Sequence, residues 1–482
     1  MDSSKKNILL IIPGFFFLEE YQRLLYYNDI PLGTLQISSF LKEKVNVKTA
    51  ILDLRVEGEK NRDLTENTSK FKEAFLNLLD KYEVQNFQNI GINCYTSFQF
   101  LYTERIAKII KEKYPYINII VGGYHPSGVP EDFCYKNSPF NYIVRGEAEN
   151  VLLDLFNSNA LDKVYKGNKP QVLNSENLID INSLPFPDYE LYLEQYPYNN
   201  KFKFEFFMSR GCPYQCTFCA TNYEFRSLKF KNFRNHFGKL CELVEKYNDK
   251  NLKIGFADQS FNRVPINEKV LDFILKNEFH ERFSFSCQSR VETLSGNLEL
   301  IKKIRKCRMV VGYGFEAVNK ELLIEMHKTN NPHHYIETMK DILNQYKDNN
   351  DTYCRLNILC GFPGEEAKTF NETIEFINSY ALHENIQISP TLFSNYPNVY
   401  VYRNMEYYKK KYGSEFIKGW WRLPSNPLMN SVPEKTSKNY TKKQLIKDYK
   451  DKYITILKVS KLNTFSELVS WKRFFNDWYT KL

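Results

Sequence analysis

No apolar run in this chain of 482 residues approaches the roughly 20 needed to cross a bilayer. The stretch NILLIIPGFFF (7–17) is broken by Pro13 and Gly14 and lacks the small-residue site of a secretory leader, so it reads as a first β-strand, and no membrane is expected. Ten cysteines are too sparse for a disulfide scaffold, which points to reduced thiols and a cytoplasmic setting. Charge is not lopsided: 66 basic and 57 acidic residues intermingle to leave +9. Lysine-rich patches such as YYKKKYG (407–413) therefore read as solvated surface rather than a nucleic-acid face. Internal repeats are also missing. With 43% hydrophobic and 16% aromatic residues the chain is not a disordered one, and its length allows a sizeable core spread over several domains.

Strand and helix patterns alternate through the first 150 residues. Apolar strands at 8–12, 47–54, 89–96, 117–123 and from 142 are separated by helical spacing at 33–44, 71–82 and 103–113. Strands apolar on both faces with helices between them imply a doubly wound parallel sheet. Ligands of such sheets bind at the strand carboxyl ends, which places Pro13, Thr96, Ser97, Gly122, Gly123 and His125 at the candidate edge. A polar stretch at about 167–181 and the prolines of LPFPDYELY (184–192) mark a linker. From Phe204 strands recur at 204–209, 252–261, 283–290, 309–316 and 353–365, each ending in a polar or glycine-bearing segment, the pattern of a β/α barrel. Beyond about Tyr400 a helical tail is expected. The fold class is thus α/β, divided into a Rossmann-like domain (1–164), a linker (165–200), a partial TIM-like barrel (201–400) and a helical C-terminal region (401–482).

The segment FMSRGCPYQCTFCA (207–220) sets Cys212, Cys216 and Cys219 within eight residues. Structural zinc sites draw four ligands from paired C-x2-C units, and the sequence has no second pair. A redox C-x-x-C is contained in Cys216–Cys219 but gives no role to Cys212. Three thiolates on one loop suit three corners of a 4Fe–4S cluster, leaving one iron open to a substrate or cofactor.

A C-x3-C-x2-C loop after the first strand of a β/α barrel, with aromatic Phe218 before the last cysteine, resembles that of the radical S-adenosylmethionine (SAM) enzymes. The resemblance implies that the open iron chelates SAM and that an electron from the reduced cluster cleaves it to methionine and a 5′-deoxyadenosyl radical. IPLGTLQISSFLKE (30–43), IVGGYHPSGVPED (120–132) and IVRGEAE (143–149) resemble the cobalamin-binding-type domain that precedes the barrel in one large branch. FADQSF, CQSRVE and CGFPGE resemble barrel landmarks of the same branch.

Within that resemblance Asp258, Gln288 and Arg290 are polar groups at strand ends where a zwitterionic cofactor would be held, and Glu316 aligns with a family glutamate near it. Ala317 and Val318 replace the serine and glycine that usually follow this glutamate. Gly361, in GFPGE, frames a turn at which backbone can approach the adenine. Cys360, at the end of its strand, is a candidate hydrogen-atom donor to a substrate radical. The loop after the first strand (12–22) holds no histidine, so cobalt ligation by that loop is excluded. His125 resembles a landmark of the branch, and the aromatic bulk of GFFF would either leave room for a corrin or fill it. Three functions stay open. The leading one is cobalamin-dependent methyl transfer to an unactivated carbon. The second is a peptide epimerase or cyclase with a vestigial cobalamin domain and Cys360 as donor. The third is a non-catalytic metal-binding protein. The enzymes imply a small-molecule or peptide substrate and an electron donor such as flavodoxin or ferredoxin.

Overall fold

The computed structural model describes residues 6–16, 29–65, 68–197, 203–221, 223–246, 252–347, 352–380, 383–424 and 426–453. The chain divides into two compact units, one made of Met1–Leu18, Gln22–Asn199 and Gly419–Pro427, the other of the remainder. No helix among the described residues is long and apolar enough to cross a membrane.

The first unit is built on β1 (Asn7–Ile12), β2 (Lys48–Asp53), β3 (Asn89–Asn93), β4 (Asn118–Gly122), β5 (Tyr142–Arg145) and β6 (Gln171–Asn174), in the order β2-β1-β3-β4-β5-β6 with every pairing parallel. Ile8 to Ile12 are buried without alternation, as helices on both faces of a parallel sheet require. β6 falls in the stretch expected to be linker. It is an edge strand whose side chains stay largely exposed, so it carries no apolar signal. The helix Tyr189–Gln195 also belongs to this unit: Tyr192 donates its hydroxyl to Asp53 at 3.0 Å, and Asp53 N–H donates to the Tyr196 hydroxyl at 2.8 Å.

In the second unit β7 (Lys203–Phe206) leads into a small antiparallel hairpin, β8 (Ser209–Arg210) with β9 (Arg226–Ser227), whose loop carries the three cysteines. Then follow β10 (Leu252–Phe256), β11 (Phe283–Arg290), β12 (Val310–Glu316), β13 (Cys354–Cys360) and β14 (Ile386–Leu392). They form one parallel sheet in the order β14-β13-β12-β11-β10-β7. One face of this sheet is apolar. Phe206, Phe256 and Phe285 pack there against Phe233 and Phe237 of the helix Phe230–Glu245, each fully buried ring contributing about 1.5–3 kcal/mol. The other face carries Glu205, Gln288, Arg355 and Gln387, none of them buried.

The C-terminal region is helical as expected, with helices at Met405–Tyr412, Pro427–Ser431 and Lys442–Asp448, the last begun on the Thr441 capping box; a short hairpin, β15 (Lys435–Ser437) with β16 (Tyr440–Thr441), interrupts them. The part of that tail after residue 453 lies outside the described residues.

Candidate functional site

The cysteine loop is held by its non-cysteine residues. Gly211 adopts φ +77°, and a Cβ there would lie 2.2 Å from the Glu224 carbonyl oxygen, so only glycine fits the entry to the loop. Thr217, buried between the second and third cysteines, donates its N–H to the Met326 carbonyl and its hydroxyl to that of Glu325, both at 3.0 Å. Phe218 packs against an apolar cluster that includes Leu359, Phe362 and Tyr408. The cysteine side chains are left partly accessible.

Arg290, at the end of β11, reaches this loop. Its Nη1 donates to Cys216 Sγ at 2.8 Å, its Nε to Glu292 Oε1 at 2.9 Å and its Nη2 to the Lys328 carbonyl, while the guanidinium lies 3.9 Å from the centre of the Tyr214 ring. Burial pushes the Cys216 thiol up, and the Lys328 and Arg290 charges oppose that shift. Burial likewise raises Cys212, with Cys219 and Cys216 adding to it. Glu316 ends β12 in the left-handed region at φ +72° and pairs with the buried Lys328 ammonium at 3.0 Å. Strain of this kind is kept where surrounding contacts fix it, and here the register of β12 on β13 shifts at the same point.

Other expected residues sit differently. Asp258 is buried, accepting from Met208 N–H at 3.1 Å and from the Ser209 hydroxyl; desolvation pushes it up to about 7. It fixes the passage from β7 to β8 rather than lining an edge. Gln288 is exposed and accepts from Asn357 Nδ2 at 2.8 Å. Gly361, at φ +84°, donates its N–H to Glu365 Oε2 at 2.5 Å, and Leu445 Cδ2 would lie 2.8 Å from its Cβ. The space beside this glycine is thus taken by the helix Lys442–Asp448. Cys360 is only 1% exposed. It shares the strand face of Cys354, Leu356 and Ile358, whereas Leu359, on the opposite face, meets the cluster to which Phe218 belongs. The thiol faces the helix layer under the C-terminal segment, on the side of Tyr440. The expected donor is therefore turned away from the cysteine loop.

In the first unit Thr96 forms a capping box with Gln99, whose Nε2 donates to the Pro13 carbonyl at 2.7 Å and so fixes the end of β1. Ser97 Oγ meets His125 Nδ1 at 2.8 Å, and His125 Nε2 lies 3.3 Å from Asp132 Oδ2. The imidazole is enclosed by Phe100, Phe133 and Trp421, and burial pushes its pKa down. Gly122 and Gly123 stay at the strand edge. Gly123 has φ +116°, and a Cβ there would sit 2.5 Å from the Cys94 carbonyl oxygen. Beside them Tyr95, 58% exposed, meets Tyr124 edge to face at 5.2 Å.

The sequence profile of the Radical SAM superfamily matches residues 206–377, and that of the B12 binding domain matches 25–156. The chain combines a Radical SAM superfamily domain with a B12 binding domain. It is 24% identical over 392 residues, 77% of either chain, to an uncharacterized methyltransferase of Pyrococcus horikoshii. A ribosomal protein uS12 methylthiotransferase of Dictyoglomus thermophilum is 23% identical over 64% of this chain and 60% of its own. Among solved structures, the cobalamin-dependent S-adenosylmethionine radical enzyme OxsB with aqua-cobalamin bound superposes with a TM-score of 0.58 at 16% identity, over 89% of this chain. The present chain spans 58% of OxsB, and the likeness is one of fold.

The radical SAM loop suits a cluster better than a single ion. Among the described residues no three His, Cys, Asp or Glu side chains gather around one point as a lone metal ion demands. A zinc ion would need all its sulfurs about 2.3 Å from one centre, whereas a 4Fe–4S cluster takes each thiolate on a different iron. The three cysteines are accessible, near enough to feel one another's charge, and matched by Arg290 and Lys328.

The B12-binding unit fits its ligand on two counts. Phe15 and Phe16 are turned into the core, Phe16 against Phe71 and Tyr102, so these two rings do not fill the strand edge; Phe17 lies outside the described residues. His125 is the one histidine in the sequence of this unit, and it is locked between Ser97 and Asp132. A corrin at this edge would therefore be held without cobalt ligation by an imidazole of the unit. Lys328, Glu292, Tyr214, Thr217 and Tyr95 were not anticipated. Proximity to Cys216 and Cys219 marks Tyr214 and Thr217 in hindsight, but nothing in the sequence pairs Lys328 with Glu316.

Proposed function

We propose that this enzyme transfers a methyl group to an unactivated carbon. The observation that carries the reading is one chain holding both a radical SAM domain and a B12-binding domain. When bound, the reduced cluster with SAM supplies a 5′-deoxyadenosyl radical, and cobalamin supplies a transferable methyl group. Two SAM molecules and two electrons from an external reductant enter; 5′-deoxyadenosine, methionine, S-adenosylhomocysteine and methylated product leave.

The protein's own part is to hold and to orient. Cys212, Cys216 and Cys219 hold the cluster. Gly211 and Thr217 set the loop, and Arg290 places a fixed positive charge beside Cys216. Glu316 and Lys328, paired at 3.0 Å, offer hydrogen-bonding groups for a zwitterionic ligand. Backbone at Gly122 and Gly123, with the Tyr95–Tyr124 pair, would carry the corrin. The relative from Pyrococcus, named a methyltransferase, supports this reading. The placement of Cys360 takes support from the epimerase alternative, which needs an accessible donor thiol.

The test is anaerobic reconstitution with iron, sulfide and cobalamin, followed by SAM and a reductant. Retention of cobalamin by the protein together with 5′-deoxyadenosine formation is expected. Cobalamin left entirely in the flow-through would sink the methyl-transfer reading.

A further inference from the structure

A parallel sheet ordinarily buries both faces, yet one face of the second sheet is polar and open. Gln288 Oε1 accepts from Asn357 Nδ2 across β12, and a Cβ on Gly312 would meet the Gln288 amide at 2.4 Å, so these three residues share that face. Arg355 pairs in register with Gly312 on one side and with Gln387 on the other, two residues from Asn357 on a regular strand, and lies on the same face. On β12 the face is lined by Gly312 and Gly314, over which the Gln288 amide and the Glu316–Lys328 pair lie.

Arg355 is built in rather than loose. Its Nε donates to Gln387 Oε1 at 2.8 Å and its Nη2 to the Tyr353 hydroxyl at 3.3 Å, with Tyr353's ring 5.8 Å from the guanidinium. Among the described residues it meets no carboxylate. Lys203 is paired with Glu205 at 2.6 Å, but Lys253, beside them on β10, meets no carboxylate among the described residues either. With Glu205 paired to Lys203 and Glu316 to Lys328, Arg355 and Lys253 are left as cations without a carboxylate among the described residues, a field that draws in negative charge.

We propose that this face is a substrate subsite for an anionic group, a carboxylate or a phosphate, gripped by Arg355. The proposal rests on the barrel being the radical site and adds the substrate's charge class. Arg290, which touches Cys216, lies in register with Gly314 and Asn357. Arg355 is one pleat below that row, about 6–7 Å along the strand, and two strands across, about 10 Å. An anion held there leaves a substrate of several bonds' length to reach the level of the cysteine loop. The same offset separates Arg355 from SAM's own carboxylate, whose place is beside the cysteines.

The experiment is calorimetric titration of the reconstituted full chain with inorganic phosphate, with glutarate, and with uncharged glutaramide. One of the two anions is expected to bind and glutaramide not to. Arg355→Gln should weaken the binding anion about tenfold or more, as loss of a hydrogen bond to a charged group does, and Arg355→Lys should restore part of it. Which anion binds separates carboxylate from phosphate. Binding of neither, or equal binding by Arg355→Gln with an unchanged unfolding midpoint, overturns the subsite. The titration needs no turnover, so a protein that binds an anion but makes no 5′-deoxyadenosine defeats the reading of the barrel as radical site and not the anion site.

Discussion

Cys216 is the cysteine with a fixed cation beside it, and the loop depends on that contact as well as on its sulfurs. Arg290 bonds three groups at once, Cys216, Glu292 and the Lys328 carbonyl, and covers the Tyr214 ring, which a lysine's single ammonium cannot reproduce. Removing any one of the three loop thiolates leaves two for a cluster that the protein holds by three. Cys212→Ala, Cys216→Ala and Cys219→Ala are each expected to lose the visible absorption of the cluster and all 5′-deoxyadenosine formation, while Cys94→Ala and Cys134→Ala keep both. Cys360→Ala is expected to keep both too, because its thiol points into the helix layer. A loss of deoxyadenosine with the cluster intact would return Cys360 to the chemistry. At this scale the three cysteines were readable because their spacing is local. Cys360 was misplaced because strand parity, not nearness to a strand end, decides which face a side chain serves.

Two strand ends, one locked by a carboxylate and one by a close backbone approach, can be tested. Glu365, buried after β13, accepts from Gly361 N–H, and desolvation pushes it from 4.5 up to about 8. The folded chain keeps a proton there that the unfolded chain has already released, so stability falls as pH rises from about 4.5 to about 8. Glu365→Gln should flatten that fall in denaturant titrations across the range. Asp258 contributes a slope of the same sign that ends near pH 7, so the difference is cleanest between 7 and 8. The second test lies at the end of β4. Gly123→Ala forces a side chain into the left-handed region and against Cys94 O, and is expected to cost the first unit about 1–3 kcal/mol and to weaken cobalamin retention. Unchanged midpoint and retention would show that the strand edge adapts. Most strands were legible as apolar runs, but β6 escaped because an exposed edge strand has no such run, and β14 because IQISPTL has polar alternation and a proline.

Taken whole, the chain does not assign its C-terminal region to one unit. Trp420 and Trp421 are buried in the first unit, where Trp421 and Arg422 both donate to Asp132, the carboxylate that faces His125. Trp421→Ala is expected to cost about 3–5 kcal/mol, from the cavity it leaves, and strips Asp132 of a buried donor besides. Thermal unfolding followed by tryptophan fluorescence and cobalamin release would read it. A midpoint within a degree of wild type would make the contact superficial. Nothing local in GWWR announces this role, since a partner nearly 300 residues away leaves no periodicity behind. It also sets an order on synthesis. The sheet of the first unit is complete once residue 174 has been made, but its last buried side chains arrive with residues 419–427. At roughly 5–20 residues per second the ribosome delivers them on the order of ten to fifty seconds later. During that interval Asp132 and His125 face each other without the tryptophan that covers them, a nascent state open to chaperones and proteases. The same interval becomes permanent in any fragment cut after residue 199.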